Sequence, residues 1–471
     1  MSDVFRFFRA ASILLMGVLV AALFFCPVPA WAMDLKTFTL SNGLQGIVIE
    51  NHRLPMVTHM VWYRVGSADE LPGRSGIAHL LEHMMFKGKR EPFAEEFSRV
   101  ISHNGGSDNA FTSYDTTGYY QTIAADRLEL VMQLEAGRMH ALAFSPTDFQ
   151  TEHEVVREER RMSIDTMPKA LLIERLQATL WGIHPYRNPI IGWDHELKSL
   201  KQEDIVAFHA LWYAPNNAFV IVAGDVTVDQ VRRLAEKHYG VLPARAVPER
   251  LRPPPLTPRA DAVIEMRHPE VRQPLWSRVY IAPGHHHPME RTSHPYAAHV
   301  LSELLGSGSS SRLYQSLVVD KKLAVDVQSD YDGLFALYAS PRGEGEMPDM
   351  VEAIETELKR FLEKGVSAEE VAYAKSCLHA ERIYHGDSLS GNAWEVGMSV
   401  SSGQTPNDVA AWPERSGRAD LQGKPACERR PAGHVARNAV KPLHPSRRQV
   451  RKTQQRNAPK TWGAGSIWKK G

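Results

Sequence analysis

The sequence predicts an α+β protein built from two homologous α/β domains, the second of them truncated. Three observations support this fold class. A strand-rich opening is followed by helical periodicity, a proline-rich segment divides the chain near its middle, and a short motif recurs about 220 residues after its first occurrence. The 471 residues also exceed the length that one compact core usually serves.

The elements of the first predicted domain, residues 33–242, follow from hydrophobic periodicity. Strand-like runs open and close the domain, and helix-like runs lie between them. A strand–turn–strand signal surrounds Ser41-Asn42-Gly43. The predicted strands are 37–40, 44–50, 56–65 and 219–223, and the predicted helices are near 76–88, 92–103, 126–142, 147–164 and 228–239.

A stiff proline-rich linker at 243–259 separates this domain from the second one, residues 260–415. The two domains resemble each other at Ala78-His79-Leu80-Leu81 and Ala298-His299-Val300-Leu301. The second copy then has Ser302 and Glu303 where the first has Glu82 and His83, so we expect the second domain to bind no metal.

Charge is distributed unevenly along the chain. Residues 416–471 hold 14 Lys/Arg and two acidic residues, a net charge of +12, whereas the preceding residues hold 41 and 52, a net charge of −11. Arg, Pro and Gln dominate this tail, which cannot bury enough apolar surface to order itself, so we expect disorder. Three cysteines in the chain are too few for a disulfide scaffold.

The tail also lacks an expected strand. A shift of 220 residues places the counterpart of the 219–223 strand near 439–443, where Ala-Val-Lys-Pro-Leu does not resemble a buried strand. We therefore predict an unpaired sheet edge in the second domain. A frame-shifted end accounts for both the charge and the missing strand; a genuine basic arm for a polyanion is the alternative.

The first 32 residues are typical of a secretory signal peptide. Arg6 and Arg9 precede an apolar run at 13–25, and Ala30-Trp31-Ala32 suits signal peptidase. We therefore expect a mature chain that begins at Met33 and is periplasmic or secreted. Contact with a membrane is expected only if this segment is not cleaved.

The stretch His79-Leu80-Leu81-Glu82-His83 is the most informative motif. Residues four apart share one face of a helix, so the two imidazoles can bind one ion with Glu82 beside them. Neutral imidazole is a good zinc ligand, and a carboxylate can complete a three-ligand site. The alternative is a buried helix with incidental histidines.

A second helix, 151–160, offers the third ligand. Glu152 and Glu159 are seven residues apart and share one face, so Glu159 could bind the metal while Glu152 supports it from behind. Glu158 is the rival ligand, but its spacing of six from Glu152 turns it off that face. Without the histidine motif, a solvated charged helix would be the simpler interpretation.

These motifs resemble the pitrilysin/insulinase-type zinc metallopeptidases, the inverzincins, whose motif has the order His-x-x-Glu-His. The resemblance covers about residues 35–415 and is to bacterial processing-peptidase-like members. It implies two α/β sandwich domains, each with a mixed, largely antiparallel sheet and helices packed on it. It also implies one Zn²⁺ bound by His79, His83 and Glu159, with Glu82 as general base and Glu152 behind the ligands.

Residues 105–112, Gly-Gly-Ser-Asp-Asn-Ala-Phe-Thr, resemble the family's edge strand, on which the substrate backbone pairs. The resemblance implies substrate binding by Asn109 and Ala110, by addition of a strand to the sheet. An ordinary glycine turn before a strand is the alternative.

One departure concerns partners. Many family members carry an Arg and, seven residues later, a Tyr in the second half, where both reach the substrate; here Val318 and Val325 occupy those positions. The resemblance therefore implies the zinc subunit of a two-subunit peptidase, with a homologous subunit supplying the pair, or a homo-oligomer. A non-catalytic scaffold and a polyanion-binding protein acting through the tail are the other hypotheses; nucleic acid is otherwise not expected.

Overall fold

The structure is a computed structural model that describes residues 33–88, 96–142, 144–253, 261–282, 284, 294–343, 345–386, 388–412, 415 and 438–440. The predicted signal peptide and nearly all of the predicted tail lie outside these residues. No helix within the described ranges is long and apolar enough to cross a membrane.

The first domain contains a six-stranded mixed sheet with the order β1-β2-β6-β3-β5-β4. Only the β2–β6 pair is parallel. All seven residues of β6 are buried, which suits a central strand covered on both faces. The strands are β1 Leu35–Thr39, β2 Gln45–Glu50, β3 Met56–Tyr63, β4 Ser107–Thr112, β5 Thr117–Ala124 and β6 Ala218–Gly224.

Helices cover the inner face of this sheet and form the largest core with it. Local signals set some of their ends: Ser145 and Asp148 form a capping box at the start of α4. The helices are α1 Ile77–Met84, α2 Phe97–His103, α3 Leu128–His140, α4 Pro146–Arg160, α5 Pro168–Trp181, α6 Asp194–Leu197, α7 Gln202–Trp212 and α8 Val228–His238. A π-helical turn, Arg161–Asp165, extends α4.

The second domain repeats this plan around a sheet whose described strands have the order β7-β11-β8-β10-β9. Its strands are β7 Ala262–Ile264, β8 Trp276–Ile281, β9 Ala324–Tyr331, β10 Leu334–Pro341 and β11 Asn438–Val440. Its helices are α9 His294–Gly306, α10 Arg312–Tyr314, α11 Met347–Lys364, α12 Ala368–Gly386, α13 Leu389–Ser401 and α14 Pro406–Ala410. The predicted α+β class with two related domains is confirmed.

The prediction that the tail contributes no strand is wrong. Residues Asn438–Val440 form β11, which runs parallel to β7 and antiparallel to β8. β6 has the same relation to β2 and β3 in the first domain, and the two strands begin 220 residues apart. β11 therefore fills the position that we expected to be empty, and β7 and β8 are paired there. Backbone hydrogen bonds on both sides hold a three-residue strand without the apolar run that we had required.

Each domain lends one helix to the other. Leu172, Leu176 and Leu180 of α5 pack against Val279 and Ala336 of the second sheet. In return, α13 covers the outer face of the first sheet, with the following residues in one apolar cluster: Ala393, Val396 and Val400 of α13; Val409 of α14; and Trp62, Phe219 and Ile221 of the sheet. The domains are therefore joined by exchanged helices as well as by the linker.

Candidate metal centre and active site

The orientation of helix α1 is fixed because one of its faces is packed in the core. Ala78, Leu80, Leu81 and Met84 are fully buried against the sheet. His79 and His83 lie one turn apart on the remaining face, with their ring centroids 4.9 Å from each other. The spacing that we read from the sequence therefore does place both imidazoles on one side of a helix.

Helix α4 brings Glu159 to this pair. A carboxylate oxygen of Glu159, Oε2, lies 3.4 Å from His83 Nε2 and 3.9 Å from His79 Nε2. His79, His83 and Glu159 form the group of possible metal ligands found among the described residues. Their ligand atoms all lie within 4.8 Å of one another. The structure thus assembles the three residues that were predicted to bind the metal.

This arrangement fits zinc. Ligand atoms that are about 2.0–2.1 Å from a tetrahedral ion lie about 3.4 Å apart. The distance of 3.4 Å from Glu159 to His83 equals that value, and the distance of 3.9 Å to His79 is about half an ångström longer. Burial, together with the neighbouring His83, lowers the pKa of His79 to about 4, so its imidazole is neutral as a metal ligand must be.

Glu152 holds the second histidine from behind. Its Oε2 lies 3.2 Å from His83 Nδ1, which leaves His83 Nε2 directed at Glu159. Lys87 Nζ lies 2.9 Å from the other oxygen of Glu152. Burial lowers the pKa of His83, but hydrogen bonds with Glu159 and Glu152 outweigh it and raise the pKa overall. This contact suits the role predicted for Glu152, because a carboxylate behind a metal-binding histidine fixes the orientation of the ring.

Glu82 stands between the two histidines in the sequence, and its side chain is nearly buried. A hydroxyl group on strand β4 donates a hydrogen bond to it. The hydroxyl of Thr112 donates to Glu82 Oε2 over 2.6 Å. Burial raises the pKa of Glu82 above its usual range, and the Thr112 hydrogen bond acts against this rise. A carboxyl group with a raised pKa is suited to accept and return a proton near neutral pH.

No role for Thr112 was predicted, and alternation along its strand shows only on which face of the sheet it lies. Alternate residues of a strand share one face, so Ala110 and Thr112 lie on the inner face with α1, and Asn109 and Phe111 on the outer one. β4 is the edge strand of its sheet and pairs with β5 only. Asn109 is exposed, and its side-chain oxygen accepts from the Ala110 amide over 2.8 Å. Asn109 and Ala110 therefore lie on an edge that leads to Glu82.

The rival ligand, Glu158, is not part of the cluster with ligand spacing. It is exposed and pairs with Arg161 on the same helix, with 2.7 Å between Glu158 Oε2 and Arg161 Nε. Val318 is packed against the core of the second domain, and Val325 is exposed on β9. The structure does not bring Val318 or Val325 into the metal cluster.

Helix α1 carries the inverted motif His-x-x-Glu-His, and helix α4 adds a glutamate. This combination is typical of one class of zinc peptidases, and comparisons with known proteins identify the family. Residues 47–194 match the family Insulinase (Peptidase family M16), and residues 199–378 match the family Peptidase M16 inactive domain. The chain belongs to the pitrilysin/insulinase-type M16 family.

Individual relatives point the same way. The chain is 34% identical over 339 residues to the zinc protease PqqE of Helicobacter pylori. The alignment covers 70% of this chain and 74% of that protein. It also resembles the crystal structure of a protease from Helicobacter pylori, with a TM-score of 0.78, 28% identity and coverage of 87% of this chain and 100% of that one. A peptidase M16 inactive domain from Pseudomonas fluorescens, 17% identical with a TM-score of 0.75, shares the fold; the alignment covers 87% of this chain and 98% of that one.

Proposed function

We propose that this chain is a zinc-dependent metalloendopeptidase that hydrolyses extended peptides or unfolded protein segments. One zinc ion would be held by His79, His83 and Glu159. The observation that carries the proposal is the position of Glu82: a nearly buried carboxyl group on the same helix turn as two ligand histidines, with its pKa raised by burial. Similarity to named zinc proteases supports the same class of reaction.

The residues divide the chemistry between them. A bound zinc ion would polarise the peptide carbonyl and make an attacking water more acidic. Glu82 would take the proton of that water and return it to the leaving amine nitrogen, which needs a carboxyl group whose pKa lies near the working pH. Because Thr112 occupies Oε2 of Glu82, the other oxygen is free to exchange the proton.

The open edge of β4 would bind the substrate backbone. Strand addition gives affinity through main-chain hydrogen bonds and demands little of the substrate sequence. Asn109 and Ala110 would supply these bonds, while Thr112 on the same strand links that edge to Glu82. An extended peptide on β4 would therefore lie beside the general base.

The decisive experiment compares Glu82→Gln with Glu154→Gln. Glutamine keeps the shape of Glu82 but cannot accept the proton, so the variant should bind zinc normally and lose at least about 100-fold in peptide hydrolysis. Glu154 is exposed on α4, so Glu154→Gln should retain both properties. Zinc content by elemental analysis and cleavage of a fluorogenic peptide are the measurements. Wild-type turnover by Glu82→Gln would overturn the role of Glu82.

The working form is proposed to be the zinc subunit of a two-subunit enzyme in the periplasm or outside the cell. Val318 and Val325 offer no guanidinium or phenol to a substrate, and a homologous subunit or a second copy could supply these groups. We expect the purified chain alone to bind zinc yet hydrolyse peptides weakly, and to gain activity when a homologous subunit is co-expressed. Full activity of the chain alone, measured with the same peptide at concentrations where it is monomeric, would contradict this.

The same two valines favour a second candidate, a zinc-binding scaffold without peptidase activity. It predicts zinc binding with no cleavage in either the absence or the presence of a homologue. The co-expression assay therefore separates the two functions.

A further inference from the structure

We propose that the turn around Gly192 is a spacer that sets the distance between α1 and α4, and that Gly192 and Ser75 are positioning residues for the metal site. This inference rests on the proposed zinc site. The two helices carry different ligands, so a metal of fixed bond length requires a fixed separation between them. The turn contacts both helices next to their ligand-bearing segments.

On the α4 side, the anchor is Arg160, which directly follows the ligand Glu159. Arg160 is buried, and its Nη1 donates to the carbonyl oxygen of Gly192 over 2.7 Å and to Glu174 over 2.9 Å. A second contact joins α4 to the same segment, because His153 Nε2 lies 2.7 Å from the carbonyl oxygen of Leu197. The segment from Gly192 to Leu197 is thus joined to α4 at its first and its last residue.

On the α1 side, the anchor is the start of the helix. The amide of Trp193 donates to Ser75 Oγ over 2.9 Å, and the amide of Ser75 donates to Glu196 Oε2 over 2.7 Å. Ser75 is buried and stands four residues before His79. These two hydrogen bonds therefore tie the residue two before the first residue of α1 to residues 193–196.

Between the anchors the backbones touch without side chains. Gly192 has φ of +86°, and a Cβ there would lie 2.5 Å from the carbonyl oxygen of Ser75 and 2.7 Å from Gly76 Cα. Such distances are far below van der Waals contact, so any side chain at position 192 must push the start of α1 away. The close contact is possible because Gly192 has no side chain and meets only backbone atoms of Ser75 and Gly76.

Gly73 supplies a matched control for the decisive variant. Its φ is +83°, so alanine brings a similar backbone strain, but a Cβ there meets no atom within 4 Å. We expect Gly192→Ala to weaken zinc binding by about tenfold, as for loss of a residue that supports metal ligands, and Gly73→Ala to stay within about twofold of wild type. Zinc affinity is measured by competition with a chromogenic chelator.

A milder pair protects against misfolding of Gly192→Ala. Ser75→Ala removes the hydrogen bond to Trp193, and Ser311→Ala removes a comparable one from a buried serine to Gly308 in the second domain. Ser75→Ala should weaken zinc binding by several fold and alter the visible spectrum of the Co²⁺-loaded protein, which reports ligand geometry, while Ser311→Ala should change neither.

Two results would overturn the inference. One is wild-type zinc affinity and cobalt spectrum in both Gly192→Ala and Ser75→Ala. The other is equal weakening of zinc binding in Ser75→Ala and Ser311→Ala, which would indicate a loss of general stability. Failure of the wild-type chain to bind zinc would instead overturn the proposed function.

Discussion

Helices α1 and α9 occupy matching places in the two domains, yet among the described residues a cluster with metal-ligand spacing lies at α1 and not at α9. Both contain a histidine, His79 and His299, and the two lie 220 residues apart, which is the spacing of the repeated motif. The following residues differ: where α1 has Glu82 and His83, α9 has Ser302 and Glu303. Ser302 pairs with Ser329 on β9 at 3.1 Å, and the His299 ring packs against Tyr331. One helix position therefore belongs to the proposed metal site in the first domain and packs against β9 in the second.

The comparison shows how little separates the two outcomes. Partial burial lowers the pKa of His299 as it does that of His79, so a half-buried imidazole with a lowered pKa is common to both domains. What the second domain lacks is a second imidazole one turn later and a carboxylate from a neighbouring helix at ligand distance, within the residues that the structure describes. Position of several groups, rather than burial of one, defines the site.

The largest expected effect comes from exchanging these equivalent positions for alanine. His83→Ala removes a ligand and should weaken zinc binding by more than about 100-fold, since loss of a mere supporting residue costs 10–100-fold. Glu303→Ala, at the matching point of α9, should leave zinc affinity unchanged. Chelator competition measures both. Weakened binding in Glu303→Ala would mean that the second domain takes part in the site.

The next effect distinguishes neighbours on α4. Glu159→Ala should strongly reduce the zinc content of the purified chain, because it removes the carboxylate 3.4 Å from His83. Glu158→Ala loses only a solvent-exposed ion pair with Arg161, which contributes little to stability, and should keep its zinc. The reverse result would make Glu158 the third ligand and contradict the prediction that Glu152 and Glu159 share the metal-facing side of α4.

The smallest expected effect tests the exchanged helices. A Cβ on Gly397 of α13 would lie 2.0 Å from the Trp62 ring, so Gly397→Ala should lower the free energy of unfolding by about 1–3 kcal/mol. Gly345→Ala adds a methyl group with nothing within 4 Å and should be nearly neutral. Urea denaturation gives both values. Equal stability of the two variants would mean that α13 can lift from the first sheet without cost.

Much of the site was predictable because it depends on local periodicity. The i, i+4 spacing put His79 and His83 on one face, and the seven-residue spacing put Glu152 and Glu159 together on another helix. Contacts between distant segments were not predictable in this way. Thr112 reaches Glu82 from a strand thirty residues away, and no helical or strand period connects the two.

The fold shows the same division. Alternation and apolar runs located β3 and β6 within a residue or two, but the short β11 has no apolar run to reveal it. Its place comes from pairing with β7 and β8, which composition does not encode. The exchanged helix α5 was also not predicted, because its apolar partners belong to the other domain.

The exchange of α5 and α13 has a consequence for the origin of the chain. A single copy of the repeated unit would leave its own sheet face bare and its crossing helix without a surface to cover. Two identical copies related by a twofold axis could cover both surfaces by exchanging this helix, as in a domain-swapped dimer. The exchange is thus the arrangement expected if a duplication joined the two halves of an arm-swapped homodimer into one chain.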